Sequence, residues 1–188
     1  VPTTIGSIGG LAVTAGLSGY LVWLYNRLVR LRNLVRSSWS DIDVFLKKRY
    51  DLVGNLVETV KGYAAHEKTT LLGVTEARAR AMRAEGPGEK GKEETALGET
   101  LKSLFAVAER YPDLKANESF LELQRQLAEL ENGIEYARRY YNAVVRDYNT
   151  ATETFPSTLV ASIFGFIREE FFRLKSPAER ERTDVRLS

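Results

Sequence analysis

Two hydrophobic regimes divide this chain. From Val1 to Asn26 there is no charged side chain. From Leu21 onward the spacing alternates between three and four residues: Leu21, Leu24, Leu28, Leu31, Val35, Ser38, Ile42, Phe45, Arg49, Leu52, Leu56, Thr59 and Tyr63. Ser38, Arg49 and Thr59 interrupt a seam that is otherwise apolar, and this is the heptad signature of a long helix. Trp39, Leu46, Val53 and Val60 widen the stripe, so the helix faces several neighbours rather than one. The pattern predicts one helix from the N-terminal segment to about Ala64, on the order of 90 Å long at 1.5 Å per residue. Gly54 and Gly62 weaken it locally, and a kink is expected near Gly62 to His66.

The helical pattern resumes through Leu71, Leu72, Val74, Ala77 and Ala81 to about Ala84. Gly86-Pro87-Gly88-Glu89-Lys90-Gly91-Lys92 reads as a polar loop. A further helix is expected over about Glu93 to Arg110, with Leu97, Leu101, Leu104 and Ala108 on one face, and Tyr111 to Leu114 as a turn at Pro112. Ser119 with Glu122 makes a capping box, with Asn117 as the alternative N-cap. The clearest helix follows: Phe120, Leu123, Leu127, Leu130, Ile134, Ala137, Tyr141, Val144, Tyr148, Ala151 and Phe155 hold the spacing without a miss up to Pro156. Thr158 to Leu174 is a last amphipathic piece, either a cap on the bundle end or a surface that docks on a membrane or a neighbouring subunit.

The fold class expected is all-α: an antiparallel four-helix bundle with long helices, preceded by a continuous N-terminal apolar helix. Residues 1–25 form that apolar helix, residues 26–175 the bundle and residues 176–188 a charged tail.

The N-terminal segment meets the ~20-residue length of a bilayer span. It is rich in small residues, and these recur four apart: Gly6 with Gly10, Ala12 with Gly16, Ala15 with Gly19. Such spacing lets helix backbones approach closely. The segment therefore either crosses a bilayer or is buried among copies of itself. Tyr20, Trp23 and Tyr25 stand where an interfacial aromatic belt would lie, and Arg27, Arg30, Arg32 and Arg36 follow at once. The positive-inside rule then puts the following domain on the cytoplasmic side, with the arginines able to hold anionic head groups. The chain begins at Val1, which fits either loss of an initiator Met or cleavage of a leader.

Polar groups interrupt the apolar faces. Arg49, Asp51, Asn55 and Glu58 form one set, and Arg138, Arg139, Asn142 and Asn149 form another. Buried polar groups need partners and can fix helix register. An inter-helix network is expected, joining Asp51, Asn55 or Glu58 to Arg138 or Asn142, with Asn149 two turns further along.

Composition narrows the chemistry. A net charge of +2 is too small for a dedicated nucleic-acid binder. The absence of Cys removes disulfides and thiolate chemistry, and the sole His66 removes any multi-histidine metal site. His66-Glu67 lacks the second His of a zincin helix, and no nucleophile elbow, phosphate loop or dinucleotide fingerprint occurs. No enzymatic activity, cofactor, metal, nucleic acid or small-molecule substrate is expected.

Two stretches carry a resemblance beyond composition. One is Tyr25-Asn26-Arg27-Leu28-Val29, then Trp39-Ser40-Asp41-Ile42-Asp43-Val44 and Arg49-Tyr50-Asp51-Leu52-Val53-Gly54-Asn55-Leu56-Val57-Glu58. The other is Tyr111-Pro112-Asp113-Leu114-Lys115-Ala116-Asn117, then Ala137-Arg138-Arg139-Tyr140-Tyr141-Asn142-Ala143-Val144, Tyr148-Asn149 and Phe155-Pro156-Ser157. The chain resembles the LemA family over about residues 20 to 170, although Gly54 stands where that family usually has Pro. The resemblance implies an N-terminal membrane anchor, a helical bundle and no established enzymatic activity. One branch of the family is associated with magnetosome membranes, which implies a membrane-organising role by analogy. The expected function is a membrane-anchored scaffold that self-associates, its partners being membrane lipids and its own copies. A filament or tube subunit, extracellular and with bundled N-terminal helices, is the alternative, and a ligand-binding module comes third.

Overall fold

The computed structural model describes the backbone of residues 2–174 and the side chains of residues 13–174. The charged tail expected over residues 176–188 lies outside them. The described residues are helical, with no strand among them. The elements are α1 (Pro2–Tyr63), α2 (Lys68–Arg83), α3 (Gly86–Ala108), α4 (Pro112–Lys115), α5 (Glu118–Glu153) and α6 (Ser157–Phe164). They divide into two compact units. The first comprises Val1–Trp39 with Tyr141–Glu169, and the second Ser40–Tyr140 with Glu170–Ser188.

In the first unit the early part of α1 packs on the late part of α5 and on α6. Leu24, Leu28 and Val35 from α1, Tyr141, Val144, Val145 and Tyr148 from α5, and Val160 and Ala161 from α6 are buried. Trp39 meets Tyr141 at 5.3 Å between ring centroids. Leu24, Leu28, Val35, Tyr141, Val144 and Tyr148 are seam positions that the three-four spacing predicts, because residues three and four apart share one helix face.

The second unit gathers the later part of α1, α2, α3, α4 and the early part of α5. Ile42, Leu46, Val53, Leu56 and Val60 are buried against Val74, Ala77, Leu97, Leu104, Leu127 and Ile134. Numbering rises along α1 as it falls along α5: Asn117 donates to the Tyr63 hydroxyl at 2.9 Å, and Arg49 reaches Glu131 at 2.8 Å. The two run antiparallel here. So do α2 and α3, where Arg80 pairs with Glu93 and Glu67 with Arg110. The α1 and α5 backbones come close where the Phe45 ring lies over Gly133, since a Cβ there would stand 2.7 Å from the ring.

Several boundaries differ from those expected. The kink near Gly62 is a helix end: α1 stops at Tyr63, and the Glu67 N–H donates to the Ala64 carbonyl at 3.0 Å. The stretch 86–92 is not a loop but the first turns of α3. Gly86 takes φ of 69°, a left-handed conformation that glycine tolerates, and Pro87 occupies the first turn, where its missing N–H costs nothing. The Glu89 carboxylate then accepts the Glu85 N–H at 3.1 Å, closing the helix start. Gly91 is needed for a different reason: a Cβ there would lie 2.2 Å from the Arg173 carbonyl oxygen, so the segment after α6 runs directly against α3.

Asn117 caps α5, its side-chain oxygen accepting the Phe120 N–H at 3.0 Å, as the alternative to the Ser119 box anticipated. α5 ends at Glu153, so Phe155 leaves the seam and is 76% exposed; it precedes a cis bond to Pro156. The expected helix over 158–174 is only α6, because Gly165 at φ of 68° reverses the chain. The Phe166 N–H donates to the Ala161 carbonyl at 2.9 Å, which closes the helix end.

Candidate functional site

Among the described residues the buried charged side chains all belong to the second unit. In the second unit Arg49 reaches inward from α1 with only 5% of its side chain exposed. Its Nη1 donates to Glu94 at 2.7 Å and its Nη2 pairs with Glu131 at 2.8 Å, while Nε is buried with no partner. The Tyr50 hydroxyl donates to the other Glu94 oxygen, with the Ala81 carbonyl 3.3 Å away. Lys90 donates to that same carbonyl at 3.0 Å, and its ammonium stands 5.9 Å from the Tyr50 ring centre. Burial pushes the Glu94 carboxyl above its ordinary range, and Arg49, the Tyr50 hydroxyl and Lys90 pull it back only in part. Burial also raises the Tyr50 hydroxyl, helped by the neighbouring Glu94 carboxylate.

This cluster is not the network expected from the sequence. Asp51, Asn55 and Glu58 lie on an exposed face of α1, where Glu58 meets Lys61 at 3.6 Å. The Asp51 and Glu58 carboxylates and the Asn55 amide face solvent, which is cheaper than burying them. Arg138 and Asn142 are half-buried. Of the α1 polar set Arg49 alone enters the core, and its principal partner sits in the stretch that reads as loop and early helix. A buried Lys and Glu four apart on α3 are hidden signals, because nothing in the local pattern separates Lys90 and Glu94 from the exposed charges around them.

Asn149 is buried, as a polar residue on an apolar face suggests. Its amide holds backbone rather than a helix partner. The Asn149 NH2 donates to the Glu169 carbonyl and its oxygen accepts the Glu169 N–H, both at 2.9 Å. This pair anchors the segment that follows α6 within the first unit.

The first unit instead exposes its apolar and aromatic groups. Tyr20 and Trp23 are stacked at 5.8 Å and about half exposed. The Arg27 guanidinium stands 5.7 Å from the Trp23 ring centre. Tyr25 turns inward and meets Phe164 at 4.8 Å and Phe166 at 5.7 Å. The Arg32 guanidinium lies over the Phe166 ring at 4.7 Å, and its Nε is buried without a hydrogen-bond partner. Arg30 and Arg36 are exposed at the surface. A cleft of about 570 Å³ is lined by Tyr20, Trp23, Arg27, Asp147, Thr150 and Phe155, among others.

Ala15, Gly16 and Gly19 are exposed, and a Cβ on either glycine would meet nothing within 4 Å. Gly6, Gly10 and Ala12 lie outside the described side chains. Among the described residues no helix is long and apolar enough to cross a membrane. The span expected over residues 3–25 has its first half outside the described side chains. What is described of it is short and is followed at once by Arg27 and Arg30. Among the described residues there is no group of three or more His, Asp or Glu that could hold a metal ion.

The LemA family model matches residues 38–187. The chain belongs to the LemA family. It is 26% identical to Magnetosome protein MamQ 2 of Paramagnetospirillum magneticum, over 89% of this chain and 71% of that protein. It is 25% identical to Magnetosome protein MamQ of Magnetospirillum gryphiswaldense, over 82% of this chain and 66% of the relative. With Protein LemA of Metamycoplasma hominis the identity is 26%, over 85% and 72%. The family match begins at residue 38, so Tyr20 to Arg36, including the aromatic and arginine belt, precede it. The names of these relatives specify no reaction.

Proposed function

We propose that this LemA-family chain is a non-enzymatic scaffold that sits at a membrane through its N-terminal helix and self-associates to organise membrane or protein assemblies. The observation that carries the proposal is the order of groups along α1. A charge-free segment leads into the exposed Tyr20 and Trp23, then into the exposed Arg27 and Arg30. Apolar side chains, then an aromatic pair, then cations is the sequence of environments from hydrocarbon through interface to head groups. The positive-inside rule puts the antiparallel helices that follow on the cytoplasmic side. Two of the relatives are named as magnetosome proteins, which supports an organelle-linked role. Deleting residues 1–25 tests the reading. The truncated chain should move from the membrane fraction to the soluble fraction, and retention on membranes would sink the idea.

A second reading is a subunit of a filament or tube. Its support is the open space above Gly16 and Gly19 beside Ala15, where another helix could approach closely. Electron microscopy of native material separates the two, since helical polymers favour the filament and dispersed membrane particles the scaffold.

A further inference from the structure

The two longest charge-free stretches of the chain are residues 1–26 and residues 154–167. The second contains α6, and its side chains divide sharply. Val160, Ala161 and Phe166 are buried in the first unit, whereas Leu159, Ile163, Phe164 and Ile167 are 56%, 77%, 58% and 76% exposed. A helix of eight residues that is apolar towards the core and apolar towards the outside has one face to spare.

That spare face shares its unit with the aromatic pair of α1. Phe164 packs on Tyr25, and Phe155 and Ser157 line the same cleft as Tyr20, Trp23 and Arg27. We infer that α6 and its exit at Ile167 form a second membrane contact, dipping into the head-group boundary of the bilayer that receives the N-terminal helix. The occupant is a lipid surface because the patch is built as such surfaces require. Arg27 lines the cleft beside it, and Arg168 at the exit of the patch pairs with Glu153 at 2.8 Å. At the tip the left-handed Gly165 lets the Phe166 N–H return to the Ala161 carbonyl, so that carbonyl is paired where the helix ends. Asn149 holds the returning backbone at Glu169, so Ile167 is presented from an anchored turn. The N-terminal helix alone would leave the bundle free to tilt on a single stalk; a second contact orients it against the bilayer.

This inference rests on the proposed membrane association, and one experiment separates the two. The chain has no Cys, so single cysteines carry an environment-sensitive fluorophore without background. Full-length Ile163→Cys, Leu17→Cys and Tyr136→Cys are labelled and reconstituted into vesicles of phosphatidylglycerol and phosphatidylcholine, with and without doxyl-labelled lipid. Leu159→Cys repeats the α6 readout one turn earlier. The label at 163 should shift to the blue and lose emission on adding doxyl lipid, as at 17, while the label at 136 in the other unit stays aqueous. Quenching at 17 with none at 163 and 159 overturns the α6 contact and leaves the anchor standing. Quenching at 163 without 17 supports the α6 contact and overturns the anchor, and quenching at neither overturns both. A blue shift at 163 that grows with protein concentration in the absence of vesicles means a second copy covers the patch, and that too overturns it.

Discussion

The second unit buries charges, while the first gathers exposed apolar side chains along α1 and α6. Arg49, Lys90 and Glu94 are all at least nine-tenths buried; Arg49 and Glu94 pair with each other, and Lys90 donates to the Ala81 carbonyl. In the first unit Leu17, Trp23, Ile163 and Ile167 are all more than half exposed. Burying a charge is costly unless paired, and exposing large apolar groups is unfavourable unless something covers them. The first arrangement specifies how helices fit together; the second leaves a face for something outside the chain.

The contrast breaks most visibly at Glu94. Glu94→Ala leaves Arg49 buried with Glu131 as its remaining carboxylate and leaves Tyr50 only the Ala81 carbonyl at 3.3 Å, so stability should fall by about 3–5 kcal/mol in urea melts. Pairing it with Arg49→Met should recover part of that loss, because Arg49 is then no longer buried without Glu94. If E94A melts like the parent, the cluster does not hold the second unit together.

Tyr50→Phe should cost about 1.5–3 kcal/mol, the range for a hydrogen bond to a charged group. It carries a pH signature as well. The folded Tyr50 hydroxyl titrates above its unfolded value of about 10, so its contribution is full below that pH and is lost as pH rises beyond it. Alkaline unfolding above about pH 10 should therefore be steeper in the parent than in Y50F. Equal slopes would place the alkaline sensitivity elsewhere, with Tyr148, whose hydroxyl is also raised by burial and by Glu169, as the next candidate.

Gly165→Ala tests the first unit. A non-glycine residue in the left-handed region costs about 1–2 kcal/mol, so the melt should shift modestly and label quenching at Ile163→Cys should weaken. At the bottom of the scale stands Glu122→Gln. Glu122 is held at about 2 by its hydrogen bonds to Arg125 and Gln126 on an exposed helix surface, where solvent screens the pair. The thermal midpoint should not move measurably; a clear drop would mean that surface pairs matter here as much as the buried cluster.

Much of this was legible in the sequence. The seam of α1 from Leu24 to Val60 and that of α5 from Phe120 to Ala151 are found buried or half-buried, because a helix of fixed pitch puts residues three and four apart on one face. Resemblance motifs at Trp39, Arg49 and Tyr111-Pro112 led to the family that the match over residues 38–187 establishes. The polar partners were not legible. Arg49 is conspicuous on its apolar face, but no local rule selects Glu94 over its many exposed neighbours. Nor does the pattern reveal that Gly86 and Pro87 start a helix. Gly and Pro there signal a break, and it is the left-handed φ of Gly86 and the Glu89 contact to the Glu85 N–H that turn the break into a helix start.

The sequence by itself determined the helical class, the faces of the long helices and the order of apolar, aromatic and cationic groups along α1, since each follows from neighbours a few residues apart. Only the tertiary structure decided which charge enters the core, where Asn149 spends its hydrogen bonds, and that the charge-free stretch around α6 turns half its apolar side chains outward. Those outcomes depend on residues tens of positions apart meeting in space, and on whether enough of the fold is present to cover each face.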